Sequence, residues 1–324
     1  MRILLVKTSS MGDVVHALPA VSDMARAIPG IQIDWLVEKS FAAIPSQHSA
    51  VQRVITLQWR KWRKSLRQEN TRVAIKGWRK EMALIRYDLI IDMQGLIKSA
   101  AFACCADGPR GGYDWRSSRE PLASLTYQRK VHVARDIHAV DRCRQLAARL
   151  LGYALPDTPA DFGLQISSEN WLPEGGAFAI LIPCASRPEK LWPLENWIAI
   201  GQGLRQQGLQ VVVLWGNPEE QRLAQAIATR VGGQTPPFLT VAQVSDTLAR
   251  ATLAIGLDTG MSHIAAAHGR PTVGIYCDHE PGLAGLRGSG PVISLGGKGQ
   301  TPSLADVQAA LQQVLSDTQS PVRQ

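Results

Sequence analysis

Short apolar runs alternate with helical stretches along this chain, pause once at a polar connection, and then begin again. Residues 2–7, 31–37, 53–57, 88–93 and 131–133 read as strands, and 14–28 and 136–151 read as helices. A connection containing Pro and Gly follows at 155–176. Beyond it the runs 177–182, 210–214, 253–257 and 272–276 are again apolar, with helical segments at 218–231 and 244–250 between them. Apolar strands interleaved with helices predict parallel sheets covered on both faces. Two such series predict an α/β chain of two doubly wound, Rossmann-like domains facing one another across a cleft, residues 1–165 and 166–324. Residues 303–316 read as a last amphipathic helix, expected to pack back on the first domain, and 317–324 as a frayed tail.

Composition narrows the class. Hydrophobic residues make up 45% of the 324 and charged ones 19%, which suits a globular chain. No apolar run approaches the ~20 residues of a membrane span. Ile3-Leu4-Leu5-Val6 is closed by Lys7 and reads as a strand, not a signal peptide. The cysteines, at 104, 105, 143, 184 and 277, form no CxxC pair, which suggests a reduced cytoplasmic protein without structural disulfide or zinc.

The formal charge of +8 has one source. Between Arg60 and Lys80 lie nine basic residues and a single acid, Glu69; elsewhere acids and bases balance. Such a patch attracts a polyanion in a salt-dependent way. It is interleaved with Trp59, Trp62 and Trp78, and indoles suit a boundary between water and an apolar phase. An ordinary solvated loop is the plainer reading, and nucleic-acid binding is another, although no recognition motif accompanies the patch.

Two turns sit where ligands bind in open α/β sheets, beyond the carboxyl ends of strands. One is Lys7-Thr8-Ser9-Ser10-Met11-Gly12-Asp13, after the first strand. With one glycine it is neither a dinucleotide loop nor a P-loop, and its feature is a carboxylate at a helix start. The other is Asp258-Thr259-Gly260-Met261-Ser262-His263, where a strand breaks into a helix and aims backbone N–H groups at one point, a seat for an anion. Either could be an ordinary helix cap.

The ordered set of these turns resembles the lipopolysaccharide heptosyltransferases of glycosyltransferase family 9. The likeness rests on Val6-Lys7-Thr8-Ser9-Ser10-Met11-Gly12-Asp13-Val14-Val15-His16-Ala17-Leu18-Pro19, on Tyr87-Asp88-Leu89-Ile90-Ile91-Asp92-Met93-Gln94-Gly95-Leu96-Ile97-Lys98-Ser99-Ala100, and on Asp258 to His263. Arg270-Pro271-Thr272 and the stretch from Asp114 to Leu125, with its Arg119-Glu120-Pro121-Leu122-Ala123-Ser124-Leu125, extend it. The likeness is greater to type I than to type II members, which tend to carry Asp-Ser-Gly at the second turn and lack the Arg-Glu-Pro-Leu-Ala-Ser-Leu stretch.

The resemblance implies a GT-B fold and inverting transfer of L-glycero-D-manno-heptose from ADP-heptose to the Kdo residue of Kdo2-lipid A, without metal or cofactor. It implies Asp13 as general base, and Lys190 with the N–H groups after Asp258 as stabilisers of the leaving diphosphate. ADP-heptose contacts are implied at Ser186, Lys190, Glu219 (or its neighbour Glu220), Asp258, Thr259, Gly260 and His263. Acceptor contacts are implied at Ser10, Arg60, Arg63, Lys64 and Arg119. Where the family commonly has two adjacent threonines, this chain has Ala185 and Ser186. Outside the resemblance, Lys190 could be a solvated lysine and His263 a hydrogen-bonded core residue. The expected setting is a monomer at the cytoplasmic face of the inner membrane, touching its anionic surface and binding no nucleic acid; a type II enzyme or a related transferase with another acceptor is the alternative.

Overall fold

The first strand, β1 (Arg2–Val6), is fully buried from Ile3 onward, as an unbroken apolar run in the middle of a parallel sheet requires. The computed structural model describes residues 1–166 and 171–319. Its chain divides into two units, Met1–Gln165 and Ile166–Gln324. In the first, β1 is followed by α1 (Met11–Ala27), β2 (Gln32–Glu38), α2 (Ala43–Ser46), β3 (Val51–Leu57), α3 (Trp59–Trp62), α4 (Glu69–Ala83), β4 (Leu89–Asp92), α5 (Ile97–Ala103), β5 (Arg110–Tyr113), β6 (Arg129–Val131) and α6 (Ala139–Leu151). All pairings in its 6-stranded sheet are parallel and the order is β3-β2-β1-β4-β5-β6. That is the dinucleotide-fold order, whose direction reverses between β1 and β4. Helices α1 and α6 are tied by a buried ion pair, Arg144 Nε to Asp23 Oδ2 at 2.6 Å.

The second unit contains β7 (Phe178–Ile182), α7 (Leu194–Gln206), β8 (Gln210–Val213), α8 (Pro218–Val231), α9 (Val241–Arg250), β9 (Leu253–Leu257), α10 (Gly260–Ala267), β10 (Thr272–Tyr276), β11 (Val292–Gly296) and α11 (Leu304–Gln319). Its 5-stranded parallel sheet has the order β11-β10-β9-β7-β8, so the reversal falls between β7 and β9. The apolar stripe of α11 (Val307, Ala310, Leu311, Val314) is buried in this unit's own core. Helix α11 runs to Gln319, so the tail expected at 317–324 begins as helix, and 320–324 lie outside the described residues. Residues 167–170 of the expected connection do so as well.

Three expectations change. The basic stretch is largely helical, forming most of α3 and α4, while Arg63, Lys64 and Arg67 lie in the turn that joins them. Nor do all its indoles face a boundary, because Trp62 and Trp78 are buried with Leu4, Val6, Leu36 and Ile90, edge to face at 6.0 Å from each other. The amphipathic period of α4 explains both facts, with cations outward and Trp78 and Met82 inward. Finally, β5 and β11 were not foreseen, and β6 begins two residues before the run at 131–133. Gly111 and Gly112 weaken the strand signal of β5, yet the packing needs them. A Cβ on Gly112 would lie 2.4 Å from the Tyr127 ring, and one on Gly111 3.0 Å from Leu150.

Gly112→Ala should therefore push Tyr127 out of place and destabilise the first unit by about 1–3 kcal/mol. Urea unfolding checks this: the midpoint should fall, and an unchanged midpoint would show that the ring gives way freely.

Candidate active site

At the reversal point of the first sheet, the loops after β1 and β4 lock together. The amide of Gln94 accepts from the backbone N–H and hydroxyl of Thr8, at 2.8 and 2.7 Å, and donates to the Ser9 carbonyl at 2.8 Å. Gln94 is fixed in turn by Asp92, whose Oδ1 accepts the N–H groups of Gln94 and Gly95. The other oxygen of Asp92 accepts the hydroxyls of Ser99 and Tyr127, both at 2.7 Å. Burial pushes the Asp92 carboxyl up against these four neutral donors.

This frame presents Asp13. Its carboxylate is half-buried in the first turn of α1 and accepts from the N–H and hydroxyl of Ser10, both at 2.8 Å. Burial alone would raise its pKa, but the Lys7 charge, the two Ser10 bonds and the Arg119 charge outweigh burial and hold it below the usual value. A cavity of about 70 Å³ opens beside it, lined among others by Lys7, Gln94, Tyr113, Arg119 and Arg142. Ser10 is thus a direct partner of Asp13, and Arg119 shares its cavity.

On the other side of the same loop, Thr8, Ser9, Trp59, Arg60, Arg63, Lys98 and Phe102 line a cavity of about 320 Å³. The Arg60 N–H donates to Glu38 Oε1 at 2.9 Å, and its guanidinium covers the Phe41 ring at 4.9 Å. Lys98 Nζ donates to Ser9 Oγ at 3.3 Å. The structure therefore gathers Arg60 and Arg63 into one pocket, whereas Lys64 is exposed outside that lining. Trp62 and Trp78 are buried and cannot stack on bases, whereas Trp59 is half-buried and lines this pocket.

The reversal point of the second sheet carries an ion pair. Lys190 Nζ donates to Asp258 Oδ2 at 2.5 Å, joining the loop after β7 to the end of β9. His263 Nε2 lies 3.8 Å from the other oxygen, Oδ1. Burial would raise the Asp258 carboxyl; His263 and Lys190, through hydrogen bonds and charge, bring it down to about 2. Thr259 occupies the N-cap position of α10 without a side-chain capping bond, and its Oγ1 is buried with no hydrogen-bond partner. Gly256 makes this turn possible, since a Cβ there would lie 2.3 Å from Ser262 Oγ. Gly260 opens α10, so the first-turn N–H groups beside Thr259 face out of the helix. Ser186 is exposed in the loop after β7. At α8, Asn217 caps the N–H groups of Glu219 and Glu220, both at 3.0 Å. Glu220 turns back to accept the Gly216 N–H at 2.8 Å, while Glu219 is exposed.

The sequence reading left Lys7, Gln94, Lys98 and Arg142 without roles. Lys7 and Gln94 sit at the carboxyl ends of β1 and β4, a position that the reversal rule would have flagged. Arg142, on α6, gives no such signal. Among the described residues no three His, Cys, Asp or Glu side chains cluster as metal ligands.

Comparison with known proteins gives concordant results. The model of glycosyltransferase family 9 (heptosyltransferase) matches residues 75–311. Lipopolysaccharide heptosyltransferase 1 of Escherichia coli (strain K12) is 41% identical over 296 residues, covering 90% of this chain and 93% of that protein. The solved structure of E. coli heptosyltransferase WaaC with ADP is similar at a TM-score of 0.90 and 39% identity, covering 98% of this chain and 100% of that one. The same enzyme with ADP-2-deoxy-2-fluoro heptose is similar at a TM-score of 0.87 and 38% identity, with the same coverage.

A carboxyl at about 2 in the folded chain and near 3.9 when unfolded corresponds to roughly 2–3 kcal/mol of stabilisation. Because the folded value is the lower one, the contribution is complete above about pH 5 and fades as pH falls from about 4 toward 2. The stability difference between the protein and Asp258→Asn, read from urea unfolding across that range, should shrink accordingly; a difference constant with pH would contradict the ion pair.

Proposed function

The chain belongs to glycosyltransferase family 9, the heptosyltransferases, with the two-unit GT-B fold; from that premise we propose that it moves L-glycero-D-manno-heptose from ADP-heptose to the Kdo residue of Kdo2-lipid A, with inversion, in lipopolysaccharide core synthesis. The observation that carries this reading is the Asp13 carboxylate, oriented by Ser10 and opening on a cation-lined cavity at the reversal point of the first sheet.

Asp13 takes the proton of the acceptor hydroxyl as that oxygen attacks the anomeric carbon from the face opposite the leaving ADP. An oxocarbenium-like transition state demands little of the nucleophile, so an acid held below its usual pKa can serve, accepting the proton late. The second unit takes ADP-heptose. Lys190 and the first N–H groups of α10 meet the diphosphate as its charge grows, and the unpartnered Thr259 hydroxyl supplies another donor. Ser186, Gly260 and His263 complete the contacts, and exposed Glu219, not the inward-turned Glu220, meets the ribose. Arg60, Arg63 and Lys64 receive phosphates of the acceptor. The exposed cations of α4 lie against the anionic cytoplasmic surface of the inner membrane. The identity of 41% to a type 1 relative favours this acceptor over that of type II enzymes.

Kdo2-lipid A and its heptosylated product, offered separately with ADP-heptose, decide the acceptor: label should enter the first, and incorporation only into the second would reject this reading. Asp13→Ala should lower kcat by about 10²–10⁴-fold while calorimetry shows ADP-heptose still bound; a near-normal kcat would remove Asp13 as base. Neutralising Arg60, Arg63 and Lys64 together should raise the acceptor KM and flatten its salt dependence; an unchanged KM would return these cations to the solvent.

A further inference from the structure

Lys7, Arg119 and Arg142 converge on one cavity that holds one carboxylate, Asp13. Among the described residues none of these three cations is in an ion pair. Arg144, two residues further along α6, shows the contrast, since its guanidinium is matched by Asp23. Lys7 is buried and Arg142 half-buried while Arg119 is exposed, and the two cations drawn out of water are costly unless an anion answers them. The Lys7 ammonium is buried and donates to the Met93 carbonyl at 3.1 Å, which leaves two of its three N–H groups. Arg142 lies over the Tyr113 ring at 4.8 Å and donates from Nη2 to the Ser117 carbonyl at 2.7 Å. Its Nε is buried with no hydrogen-bond partner. The fork is thus held in place with donor capacity in reserve, an arrangement suited to a planar oxyanion.

We propose that this cavity is an oxyanion pocket, in which Lys7, Arg119 and Arg142 take a carboxylate of the acceptor sugar and so set its hydroxyl against Asp13. The proposal rests on the heptosyltransferase reading above and names what orients the acceptor. About 70 Å³ accommodates a group of a few heavy atoms and no sugar ring. The pocket belongs to the unit that carries Asp13, so the anion belongs to the molecule that Asp13 deprotonates. An acceptor phosphate or the donor diphosphate shares the same oxyanion chemistry, and the experiment separates these sources.

Occupancy has a chemical consequence. Lys7 and Arg119 are among the charges that hold Asp13 below its usual pKa. A bound carboxylate offsets them, so the base gains proton affinity when the acceptor arrives.

The test uses the full chain and Arg142→Gln, with Arg142→Lys as the variant that keeps the charge. With Kdo2-lipid A, Arg142→Gln should raise the acceptor KM on the order of 10-fold or more, Arg142→Lys should recover part of it, and the ADP-heptose KM should stay within about 2-fold. With an acceptor whose Kdo carboxylates are methyl esters, wild type and Arg142→Gln should have equal KM. An equal penalty on both acceptors would overturn the proposal in favour of a phosphate or a structural role. A loss confined to the ADP-heptose KM would overturn it in favour of the diphosphate. Calorimetric titration with free Kdo, and separately with inorganic phosphate, reads the pocket without turnover: Kdo should bind wild type and not Arg142→Gln. Equal Kdo binding by both would sink the proposal even if wild type transfers heptose normally. Selective Kdo binding without heptosyl transfer would instead sustain the pocket and reject the functional reading.

Discussion

The buried carboxylate of Asp92 holds the first site together. It sits at the end of β4, beside the point where strand order reverses, and faces four neutral donors in place of a cation. Through Gln94 it fixes the backbone at Thr8 and Ser9, and that backbone leads directly to Ser10 and Asp13. Tyr127 reaches it across Gly112, which explains why a strand of such weak propensity is tolerated in β5. An anion with no counter-charge pins a loop without drawing the cations needed next to Asp13.

The two units treat their carboxylates in different ways. Asp258 is paired with Lys190, which joins the loop after β7 to β9 at the reversal of the second sheet. Asp13 has no ion-pair partner within 4 Å and feels Lys7 and Arg119 through space. The first arrangement places an ammonium at the mouth of a turn where the first N–H groups of α10 also gather. The second leaves Asp13, Lys7 and Arg119 without ion pairs among the described residues. Both follow from one geometric fact, that loops at a reversal point diverge and leave room between them.

Much of this was legible in the sequence because it is local. Unbroken apolar runs gave the buried strands, and the turns after β1 and β9 carry their polar residues within a few positions of each other. What the sequence hid depends on distant contacts. The strand character of β5 is masked by two glycines that Tyr127 and Leu150 require. The half-buried edge strand β11 lacks the signature of an interior strand. Indoles among nine cations suggested a surface, yet Trp62 and Trp78 pack beneath α3 and α4 because helical periodicity, not composition, decides which way they point. Arg142 shares the Asp13 cavity only through the placement of α6 against α1, and no spacing along the chain announces that.

The central claim is a single displacement at the anomeric carbon, driven by one carboxylate that removes a proton and forms no bond to the sugar. The anomeric configuration of the transferred heptose, read by NMR from one-bond carbon–proton coupling in the isolated product, tests it most directly. The account predicts a configuration opposite to that in ADP-heptose. Retention would contradict a single attack from the face opposite ADP and would remove Asp13 from the role of base for such an attack.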